Sequence, residues 1–363
     1  MWYTKLETNS QRGSIMRALF IGGTGIISMA ITKQFLAQGH ELFLLNRGHR
    51  DVELSGYVTY LTADIYDEAA VATLIQDLEF DVVAQFIAFE PAHIERDYRL
   101  FKDKTKQYIF ISSASAYQKP LSHHVITEST PLANPYWGYS RNKIACEELL
   151  LSLYREAGFP VTIVRPSHTY DERHLPVGLH GHQGSYQVIK RLLEQKPVII
   201  PGDGTSLWTV THNSDFAKGF IGLMDNHQAL GETVHITSDE SLTWNQIYAI
   251  IAKNLNVPLH AVHVSSDFLA SCSEGVYDIT GELTGDKANT VVFDNSKIKR
   301  LVPDFVATTR FDQGVIDVIR YLETHDISQV EDPLFDRWCD TVIAELEQSA
   351  KRIQATFQSE VKK

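Results

Sequence analysis

Cysteine is scarce in this sequence, with three among 363 residues, at positions 146, 272 and 339. No two of them have the short spacing of a disulfide or zinc framework, which predicts free thiols in a reducing compartment. Long hydrophobic runs are missing too. No window approaches the roughly 20 apolar residues that span a bilayer, and residues 1–15 lack the apolar stretch of a signal peptide. We therefore predict a cytoplasmic protein without a membrane span.

An excess of positive charge is also lacking, because 45 Asp and Glu residues outnumber 33 Lys and Arg residues, for a net charge of −12. Such a balance repels polyanions on average and argues against a dedicated nucleic-acid binder. Hydrophobic residues make up 44% and charged residues 21% of the chain, which is the composition of an ordinary globular protein. A chain of this length can bury a sizeable core.

From Met16 onward, short apolar runs alternate with amphipathic helical patterns. This alternation is typical of βαβ units around a parallel sheet. It predicts strands at 17–21, 41–45, 58–62, 81–86, 107–112, 161–165 and 233–236. It predicts helices at 26–38, 67–78, 92–104, 139–157, 186–195, 213–225, 243–255, 311–325 and 336–357. The predicted class is α/β, with a doubly wound parallel sheet.

A glycine-rich turn joins the first predicted strand to the first predicted helix, in the sequence Gly22-Gly23-Thr24-Gly25-Ile26-Ile27-Ser28. Gly22 would make the tight turn, and Gly25 would let the backbone approach a pyrophosphate at the helix N-terminus. The residues predicted to bind a dinucleotide here are Gly22, Thr24, Gly25, Ile26 and Ile27. Ser28 stands where a third glycine usually packs, and a plain structural turn is the alternative.

The composition of the sequence changes after Pro166, where Gly, His and Pro become frequent and the predicted elements are shorter. We predict a disordered leader or tag (1–15), a Rossmann dinucleotide-binding domain (16–166), a smaller C-terminal α/β substrate-binding region (167–330) and a C-terminal helix (331–363). The last helix is amphipathic, and we expect it to dock on the parent domain or on a second copy in a homodimer.

The second predicted strand ends in Leu45-Asn46-Arg47-Gly48. A site specific for NAD usually has an acidic residue here for the ribose 2′-hydroxyl, whereas Arg47 would pair with a 2′-phosphate. The predicted cofactor is NADP or NAD, with NADP slightly favoured; a solvated arginine in a turn is the alternative. After the third strand, Asp64 would accept a hydrogen bond from the adenine amino group, with Ile65 beneath the ring.

Tyr139 and Lys143 lie four residues apart, on one face of a predicted helix. A tyrosine has a pKa of about 10, and a nearby ammonium and a positively charged nicotinamide ring would lower that pKa. The tyrosinate would then take a proton from a carbinol while hydride leaves to the cofactor. Ser113, at the end of the fifth strand, would hydrogen-bond the reacting oxygen. A surface Tyr–Lys pair and turn-forming serines are the alternatives.

Taken in order, these motifs resemble the extended branch of the short-chain dehydrogenase/reductase superfamily, the NAD-dependent epimerase/dehydratase family, over roughly residues 16–325. The resemblance rests on Gly22-Gly23-Thr24-Gly25, Ser112-Ser113 with Tyr117, Tyr139 with Lys143, Val164-Arg165-Pro166 with Tyr170, Ile200-Pro201-Gly202-Asp203-Gly204-Thr205, and His212 with Asp215-Phe216-Ala217. It implies a catalytic set of Ser113, Tyr139 and Lys143, with Lys143 and Pro166 also contacting the cofactor. The stretches 46–48 and 292–297 resemble an atypical subgroup that includes chloroplast stem-loop RNA-binding proteins.

Departures from the family pattern bear on the substrate. Dehydratases of the family have an Asp-Glu pair after the catalytic hydroxyl residue, where this chain has Ala114 and Ser115, so we do not expect 4,6-dehydration. Trp208 stands where nucleotide-sugar epimerases have an arginine for the diphosphate, and Ser167-His168 replace an expected asparagine. The predicted substrate-facing residues are Ser115, His168 and Trp208.

Four histidines cluster after the sixth strand, at positions 168, 174, 180 and 182. Imidazoles bind zinc, but no cysteine lies close in the sequence. We predict that these side chains form polar groups at the rim of a substrate pocket and that no metal is bound.

Two functions from different classes remain open. The first is an NAD(P)-dependent epimerase or dehydrogenase/reductase acting on a carbinol or carbonyl carbon of a small sugar-like or nucleotide-sugar-like molecule. The second is a non-catalytic NADP- or RNA-binding protein on the same scaffold. The intact set Ser113, Tyr139 and Lys143 and the acidic charge argue for the enzyme.

Overall fold

The computed structural model describes residues 15–48 and 53–361. The predicted leader or tag therefore lies outside the described residues, apart from Ile15. The strands are β1 (Arg17–Ile21), β2 (Glu41–Asn46), β3 (Tyr57–Thr62), β4 (Phe80–Gln85), β5 (Thr105–Ile111), β6 (Val125–Ile126), β7 (Val161–Pro166), β8 (His168–Tyr170), β9 (Val198–Pro201), β10 (Leu207–Trp208), β11 (Val210–His212), β12 (Thr233–Ile236), β13 (Leu242–Thr243), β14 (Ala261–Val264) and β15 (Val292–Phe293).

The helices alternate with these strands along the chain. They are α1 (Ile26–Ala37), α2 (Glu68–Leu74), α3 (Pro91–Phe101), α4 (Gly138–Ala157), α5 (Tyr186–Leu193), α6 (Asn213–Leu223), α7 (Trp244–Asn254), α8 (Ser266–Ser273), α9 (Ser296–Leu301), α10 (Phe311–Thr324) and α11 (Pro333–Val361). A π-helical segment covers Thr280–Lys287, and three short 3-10 turns cover Ala114–Ala116, His227–Ala229 and Asp326–Ser328. No helix among the described residues is both long and apolar enough to cross a membrane.

Seven strands form one parallel sheet in the order β12-β7-β5-β4-β1-β2-β3. The chain builds outward from β1 on one side and then returns to β4 on the other, so the strand order reverses between β1 and β4. In open α/β sheets, ligands bind beyond the carboxyl ends of the strands at such a point. The predicted α/β fold with a doubly wound Rossmann sheet is confirmed.

Helices cover both faces of this sheet, which explains the nearly continuous apolar runs in the strands. In β1, Ala18 and Phe20 face one apolar layer, which includes side chains of α1 and α6. Leu19 and Ile21 face the opposite layer, which includes side chains of α3 and α4. The alternation of β1 side chains thus fixes which helices lie on each side, and it leaves the ends of the strands open for a site.

The chain beyond β7 builds a third apolar cluster from α5, α7, α10, the start of α11 and several two-stranded pairings. Trp244 of α7 is 1% exposed and stacks on Trp208, with the ring centroids 5.3 Å apart. Trp208, one of the predicted substrate-facing residues, is itself part of this cluster.

Most predicted elements are present with small shifts at their ends, but the predicted helix 67–78 ends at Leu74 and the predicted helix 336–357 covers Pro333–Val361. The sequence interpretation missed α8, α9 and the segment Thr280–Lys287. That segment contains Gly281 and Gly285, which disfavour a helix on local propensity. Its helical form instead depends on packing against the rest of the fold.

Candidate functional site

Two cavities lie where the carboxyl ends of the sheet strands meet. The glycine-turn cavity has a volume of about 430 Å³ and is formed by the turn after β1 and by the residues after β2, β3 and β4. The tyrosine pocket has a volume of about 230 Å³ and is formed by the residues after β5, the start of α4 and the chain beyond β7. Phe89 lines the first and Tyr139 the second, and their ring centroids are 6.4 Å apart.

Most of the predicted site residues gather in these two cavities. The glycine-turn cavity is lined by Gly22, Thr24, Gly25, Arg47, Asp64 and Ile65. The tyrosine pocket is lined by Ser113, Ser115, Tyr139, Pro166, His168 and Trp208. Pro166 was predicted at the cofactor and lies in the second group, while Ile26, Ile27 and Lys143 line neither cavity with their side chains.

The glycine turn is closed by its own hydrogen bonds. Gly22 has a φ of +82°, and a Cβ on it would lie 2.5 Å from Cγ2 of Ile87, so glycine is required for both its conformation and its packing. The Ser28 hydroxyl donates to the Gly22 carbonyl and accepts from the Gly25 N–H, both at 2.8 Å. Ser28, which stands at the position of the usual third glycine, therefore closes the turn with its hydroxyl.

Helix α1 begins directly after this turn, at Ile26. Ile26 and Ile27 offer backbone N–H groups at this end of the cavity, because the first N–H groups of a helix have no acceptor within the helix. The partial positive charge at a helix N-terminus attracts phosphate groups, and no acidic side chain stands in the first turn of α1. This end of the cavity suits an anion.

The Arg47 side chain is exposed at the rim of the glycine-turn cavity and forms no ion pair within residues 15–48 and 53–361. Across the cavity, one carboxylate oxygen of Asp64 accepts from the Tyr66 N–H at 3.0 Å, and Ile65 is 5% exposed. The free cation and the exposed carboxylate are therefore at the end of the cavity nearest β2 and β3.

The residues lining this cavity that the sequence interpretation missed include Tyr66, Ile87 and Phe89. They are apolar or aromatic and remain 62%, 38% and 42% exposed. Tyr66 is held by a 3.2 Å hydrogen bond to His93. Their position directly after β3 and β4 was the available signal, because residues that follow parallel strands line the ligand site.

Lys143 is 1% exposed and is held by two backbone carbonyls. Its Nζ donates to the carbonyl oxygens of Ala88 at 2.7 Å and Ile111 at 2.8 Å, and it lies 4.6 Å from the ring centroid of Phe89. Burial disfavours the ammonium and lowers the pKa of Lys143 to about 8. Lys143 thus ties α4 to the ends of β4 and β5.

Burial raises the pKa of Tyr139 to about 12, while a hydrogen bond to Ser113 lowers it and the charge of Asp286 raises it. The sequence analysis expected the Lys143 ammonium to lower this pKa. In the chain alone burial outweighs that effect, because the ammonium is 5.7 Å from the Tyr139 ring centroid and is bound to carbonyls instead. The phenol is therefore protonated at neutral pH.

A chain of serine hydroxyls leads to Tyr139. Ser140 donates to Ser115 at 2.7 Å, and the Ser115 and Ser113 hydroxyls are 2.9 Å apart. Because Ser115 already accepts from Ser140, its own proton is free to be donated to Ser113. The proton of Ser113 is then free for Tyr139 or for a ligand oxygen in the pocket.

His168 is fixed as a neutral imidazole. The indole N–H of Trp208 donates to its Nδ1 at 3.0 Å, so the ring proton resides on Nε2. Burial and the nearby charge of Lys287 lower the pKa of His168 to about 3. His168 can therefore donate a hydrogen bond from Nε2 without carrying charge.

An acidic residue that the sequence interpretation missed, Asp286, also lines the tyrosine pocket. The segment Thr280–Lys287 holds it there, because the buried amide of Asn134 donates both to the Gly285 carbonyl at 2.6 Å and to the Ser115 carbonyl at 2.8 Å. The Asn134 side chain thereby joins the segment that contains Asp286 to the turn that contains Ser113 and Ser115. No motif marks Asp286 in the sequence, because long-range packing alone brings it here.

The charges around Asp286 are largely buried. Burial raises the pKa of its carboxyl to about 6, although the nearby ammonium groups of Lys119 and Lys287 lower it. Lys119 is 3% exposed, and its Nζ has no hydrogen-bond partner among the described residues. Burial lowers the pKa of Lys119, and Asp286 raises it. An acid that titrates near neutrality therefore lines the same pocket as Tyr139, and the buried Lys119 ammonium lies close enough to influence it.

Of the four clustered histidines, only His168 lines the tyrosine pocket. His174 contacts a carboxylate oxygen of Asp171 at 3.3 Å, while His180 and His182 bond backbone carbonyls at 2.8 and 2.9 Å. The described residues contain no group of three or more His, Cys, Asp or Glu side chains that could hold a metal ion.

Known proteins share this sequence pattern and fold. The sequence model of the NAD dependent epimerase/dehydratase family matches residues 18–237, which is more than half of the chain. The 2′-dehydrokanamycin reductase of Streptomyces kanamyceticus is 23% identical over 293 residues, which cover 80% of each chain.

Two further similarities come from a chloroplast protein and a solved enzyme structure. The chloroplast stem-loop binding protein of 41 kDa b from Arabidopsis thaliana is 24% identical over 251 residues, or 65% of this chain and 62% of that protein. The structure of dTDP-glucose 4,6-dehydratase from Bacillus anthracis in complex with NAD has a TM-score of 0.68 at 17% identity, over 86% of this chain and 98% of the other. The resemblance expected from the motifs is confirmed: the chain belongs to the NAD-dependent epimerase/dehydratase family of extended short-chain dehydrogenases/reductases.

Proposed function

We propose that this chain is an NADP-dependent reductase that acts on one carbonyl carbon of a sugar-like ring, or the corresponding dehydrogenase in reverse. The observation that carries the proposal is the placement of Ser113 and Tyr139 side by side in the tyrosine pocket, joined to the glycine-turn cavity through Phe89. Proton transfer and hydride transfer would then meet at one substrate carbon.

The glycine-turn cavity fits a dinucleotide. Gly22 leaves room that a Cβ would fill, and the start of α1 offers free N–H groups to a pyrophosphate. Arg47, which pairs with no acid among the described residues, offers a cation to a 2′-phosphate. Asp64 and Ile65 would contact the adenine. When bound, NADPH would supply the hydride that reduces the carbonyl carbon.

Tyr139 would donate the proton that the substrate oxygen receives. Its pKa of about 12 keeps the phenol protonated, which suits a general acid acting on a carbonyl and therefore the direction of reduction. Ser113 would orient the substrate oxygen with its free hydroxyl proton. Lys143 would position Tyr139 by holding α4 against the Ala88 and Ile111 carbonyls.

The tyrosine pocket favours a single sugar or cyclitol ring over a nucleotide sugar. Its volume of about 230 Å³ is small, and none of the described residues that line it is an arginine, the side chain best suited to a diphosphate. Trp208 and the neutral His168 offer an apolar face and one N–H donor. One relative is named for 2′-dehydrokanamycin, whereas the solved dehydratase is named for dTDP-glucose.

We propose that Asp286 selects the substrate by accepting a hydrogen bond from a ring hydroxyl or amine. Asn134 holds its segment against the turn of Ser115, which keeps Asp286 in the pocket that Tyr139 lines. The buried Lys119 would compensate the negative charge when the pocket is empty of a cationic group.

A spectrophotometric assay tests the proposed reaction. NADPH oxidation would be followed at 340 nm with keto-sugars and keto-aminoglycosides, and with dTDP- and UDP-sugars for comparison. We expect turnover of a free ring, and we expect Tyr139→Phe to lower kcat by roughly 10²- to 10⁴-fold while NADPH binding, measured by calorimetry, is unchanged.

Tyr136→Phe is the matched control, because Tyr136 is an exposed tyrosine three residues earlier and lines no part of the tyrosine pocket. This variant should retain full turnover. A folded chain that binds no dinucleotide, or a Tyr139→Phe variant as active as the parent, would refute the proposed mechanism.

Epimerisation is the second candidate, because the family match favours it. An epimerase returns the hydride to the opposite face of the same carbon, so the cofactor is not consumed. Product analysis after incubation with catalytic NAD(P) separates the two: an inverted stereocentre with no net change at 340 nm indicates epimerisation, and stoichiometric NADPH oxidation indicates reduction.

A further inference from the structure

The loop after β4, residues 86–90, contacts both parts of the candidate site. Ile87 lines the glycine-turn cavity, and the Ala88 carbonyl accepts a hydrogen bond from Lys143 at 2.7 Å. A Cβ on Gly22 would lie 2.5 Å from Cγ2 of Ile87, so the Ile87 side chain packs directly on the glycine turn. A small displacement of this loop would therefore change the shape of the cavity and the surroundings of Lys143 together.

The last residue of β4, Gln85, holds the backbone of this loop with its side chain. Gln85 is fully buried, and its side-chain carbonyl accepts from the Ile87 N–H at 2.8 Å. The preceding N–H, that of Phe86, still donates to the Ile21 carbonyl of β1, at 3.1 Å. Where the sheet ends, the Gln85 side chain thus supplies the next acceptor for the backbone.

A buried carboxylate of α3 determines which way the Gln85 amide faces. One oxygen of Asp97 accepts from Nε2 of Gln85 at 2.6 Å and from the Tyr108 hydroxyl at 2.7 Å, and the other accepts from the Arg96 guanidinium. Burial raises the pKa of Asp97, and the charge of Arg96 opposes that shift. Because a carboxylate only accepts hydrogen bonds, Gln85 turns its NH₂ group to Asp97 and its oxygen to Ile87.

We propose that Gln85 is a positioning residue for the bound dinucleotide. Gln85 lines neither cavity, so it would act through Ile87, which it holds against Gly22 and out of the space that the cofactor needs. A site keeps its shape when the residues that line it are fixed by hydrogen bonds behind them. The inference rests on the proposed function in one respect, that the ligand of the glycine-turn cavity is a dinucleotide.

Tyr108 provides a matched control for Gln85. Both side chains are fully buried, and both donate to the same oxygen of Asp97, at 2.6 and 2.7 Å. Gln85→Met and Tyr108→Phe each remove one of these donors, and each should lower the Tm because a buried hydrogen bond is lost. Of the two residues, only Gln85 also bonds the loop, through Ile87. A purely structural role for Gln85 predicts similar effects of the two variants on ligand binding.

Isothermal titration calorimetry with NADPH separates the two roles. We expect Gln85→Met to raise the Kd for NADPH at least about tenfold, because Ile87 is then free to move into the cavity. Tyr108→Phe should bind NADPH within about twofold of the parent. Circular dichroism verifies that both variants are folded. Equal affinities of the two variants for NADPH would overturn the proposal.

Residue-resolved hydrogen exchange without cofactor provides a second measurement. In the parent, the Ile87 N–H should exchange about as slowly as the Phe86 N–H, which belongs to the sheet ladder. Gln85→Met should accelerate exchange at Ile87 relative to Phe86, whereas Tyr108→Phe should not. An Ile87 N–H that exchanges in the parent at the rate of an open loop would overturn the proposal even if Gln85→Met did not fold.

The two measurements distinguish this inference from the proposed function. A folded parent that binds no NADPH would refute the proposed function, and the exchange rates of Ile87 would still show whether Gln85 fixes the loop. A parent that binds NADPH, with the same affinity in Gln85→Met as in Tyr108→Phe, would instead refute only the positioning role of Gln85.

Discussion

Burial shifts the two central ionisable groups in opposite directions, since it disfavours the charged form of each. The pKa of Tyr139 rises to about 12 and that of Lys143 falls to about 8. At pH 7 Tyr139 is therefore neutral while Lys143 keeps most of its charge, and carbonyl oxygens rather than a carboxylate anchor Lys143. In the proposed reaction Tyr139 would therefore act as a positioned acid, with Lys143 as its support, before any effect of a bound cofactor.

Asp286 should leave a signature in the pH dependence of stability. Its pKa is raised from 3.8 to about 6 by burial, so the folded state binds more protons than the unfolded state between those values. The free energy of unfolding contributed by Asp286 is therefore present below about pH 4 and is lost as the pH rises through 6. Asp286→Asn should remove this loss.

Urea denaturation at several pH values measures the effect. Relative to the parent, the free energy of unfolding of Asp286→Asn should rise by up to about 3 kcal/mol between pH 4 and pH 6.5. Asp267→Asn, at an exposed aspartate of α8, is the control and should run parallel to the parent. Parallel curves for Asp286→Asn as well would contradict the buried position of this carboxyl.

At the scale of single residues, the sequence predicts side chains that belong to local motifs. Arg47, Ser113 and Tyr139 stand at the ends of strands or at the start of a helix, and the topology places such positions at the cavities. Asp286 lies far along the chain in a segment without a motif. Its approach to Tyr139 depends on the Asn134 hydrogen bonds, which sequence patterns do not encode.

At the scale of elements, the turn between β1 and α1 allows a controlled test of cofactor binding. Gly22 and Gly39 have nearly the same φ, +82° and +84°, but only Gly22 would bring a Cβ into contact, 2.5 Å from Cγ2 of Ile87. Alanine at either position should cost about 1–2 kcal/mol of stability for the left-handed backbone.

Gly22→Ala should in addition displace Ile87 into the cavity and weaken NADPH binding at least about tenfold, whereas Gly39→Ala should bind NADPH as the parent does. Isothermal titration calorimetry of both folded variants measures this difference. Equal affinities for the two variants would show that Ile87 moves aside freely and that the tight turn is not a condition for binding.

The segment Thr280–Lys287, which the sequence interpretation missed, shows why local patterns do not predict every element. Strands and helices of the sheet follow from apolar periodicity because each packs on its immediate neighbours in the chain. The π-helical segment Thr280–Lys287 instead contains Gly281, on which a Cβ would overlap the Trp137 ring. The glycine that weakens the local helical signal is the residue that lets the segment pack beside α4.

At the scale of the whole molecule, the parallel sheet brings two separate sequence regions to one edge. The glycine turn and the residues after β2, β3 and β4 come from the first 90 residues, and the chain beyond β7 closes the tyrosine pocket with Pro166, Trp208 and Asp286. In the proposed reaction the early residues would bind the cofactor, while the late ones would select the molecule that fits. This division explains why the sequence predicts the cofactor class better than the substrate.

The charge of the whole molecule also argues against the RNA-binding alternative. One relative is named for stem-loop binding, but this chain has a net charge of −12. Near the sheet edge that carries Arg17 and Lys106, each cation is paired with an acid, at 2.8 and 2.7 Å. Phosphate contacts supply most of the affinity for RNA, and a net negative charge disfavours the approach of a polyanion.

We therefore expect no measurable binding of a labelled stem-loop RNA by fluorescence anisotropy at physiological salt, about 0.15 M. Repeating the titration at lower salt distinguishes weak electrostatic attraction from its absence, because each phosphate contact steepens the salt dependence. A dissociation constant in the micromolar range that weakens steeply with salt, retained in Tyr139→Phe, would instead favour the RNA-binding function. NADPH turnover by the same preparation, unchanged when RNA is added, would support the enzyme. It would indicate that RNA does not bind near the site.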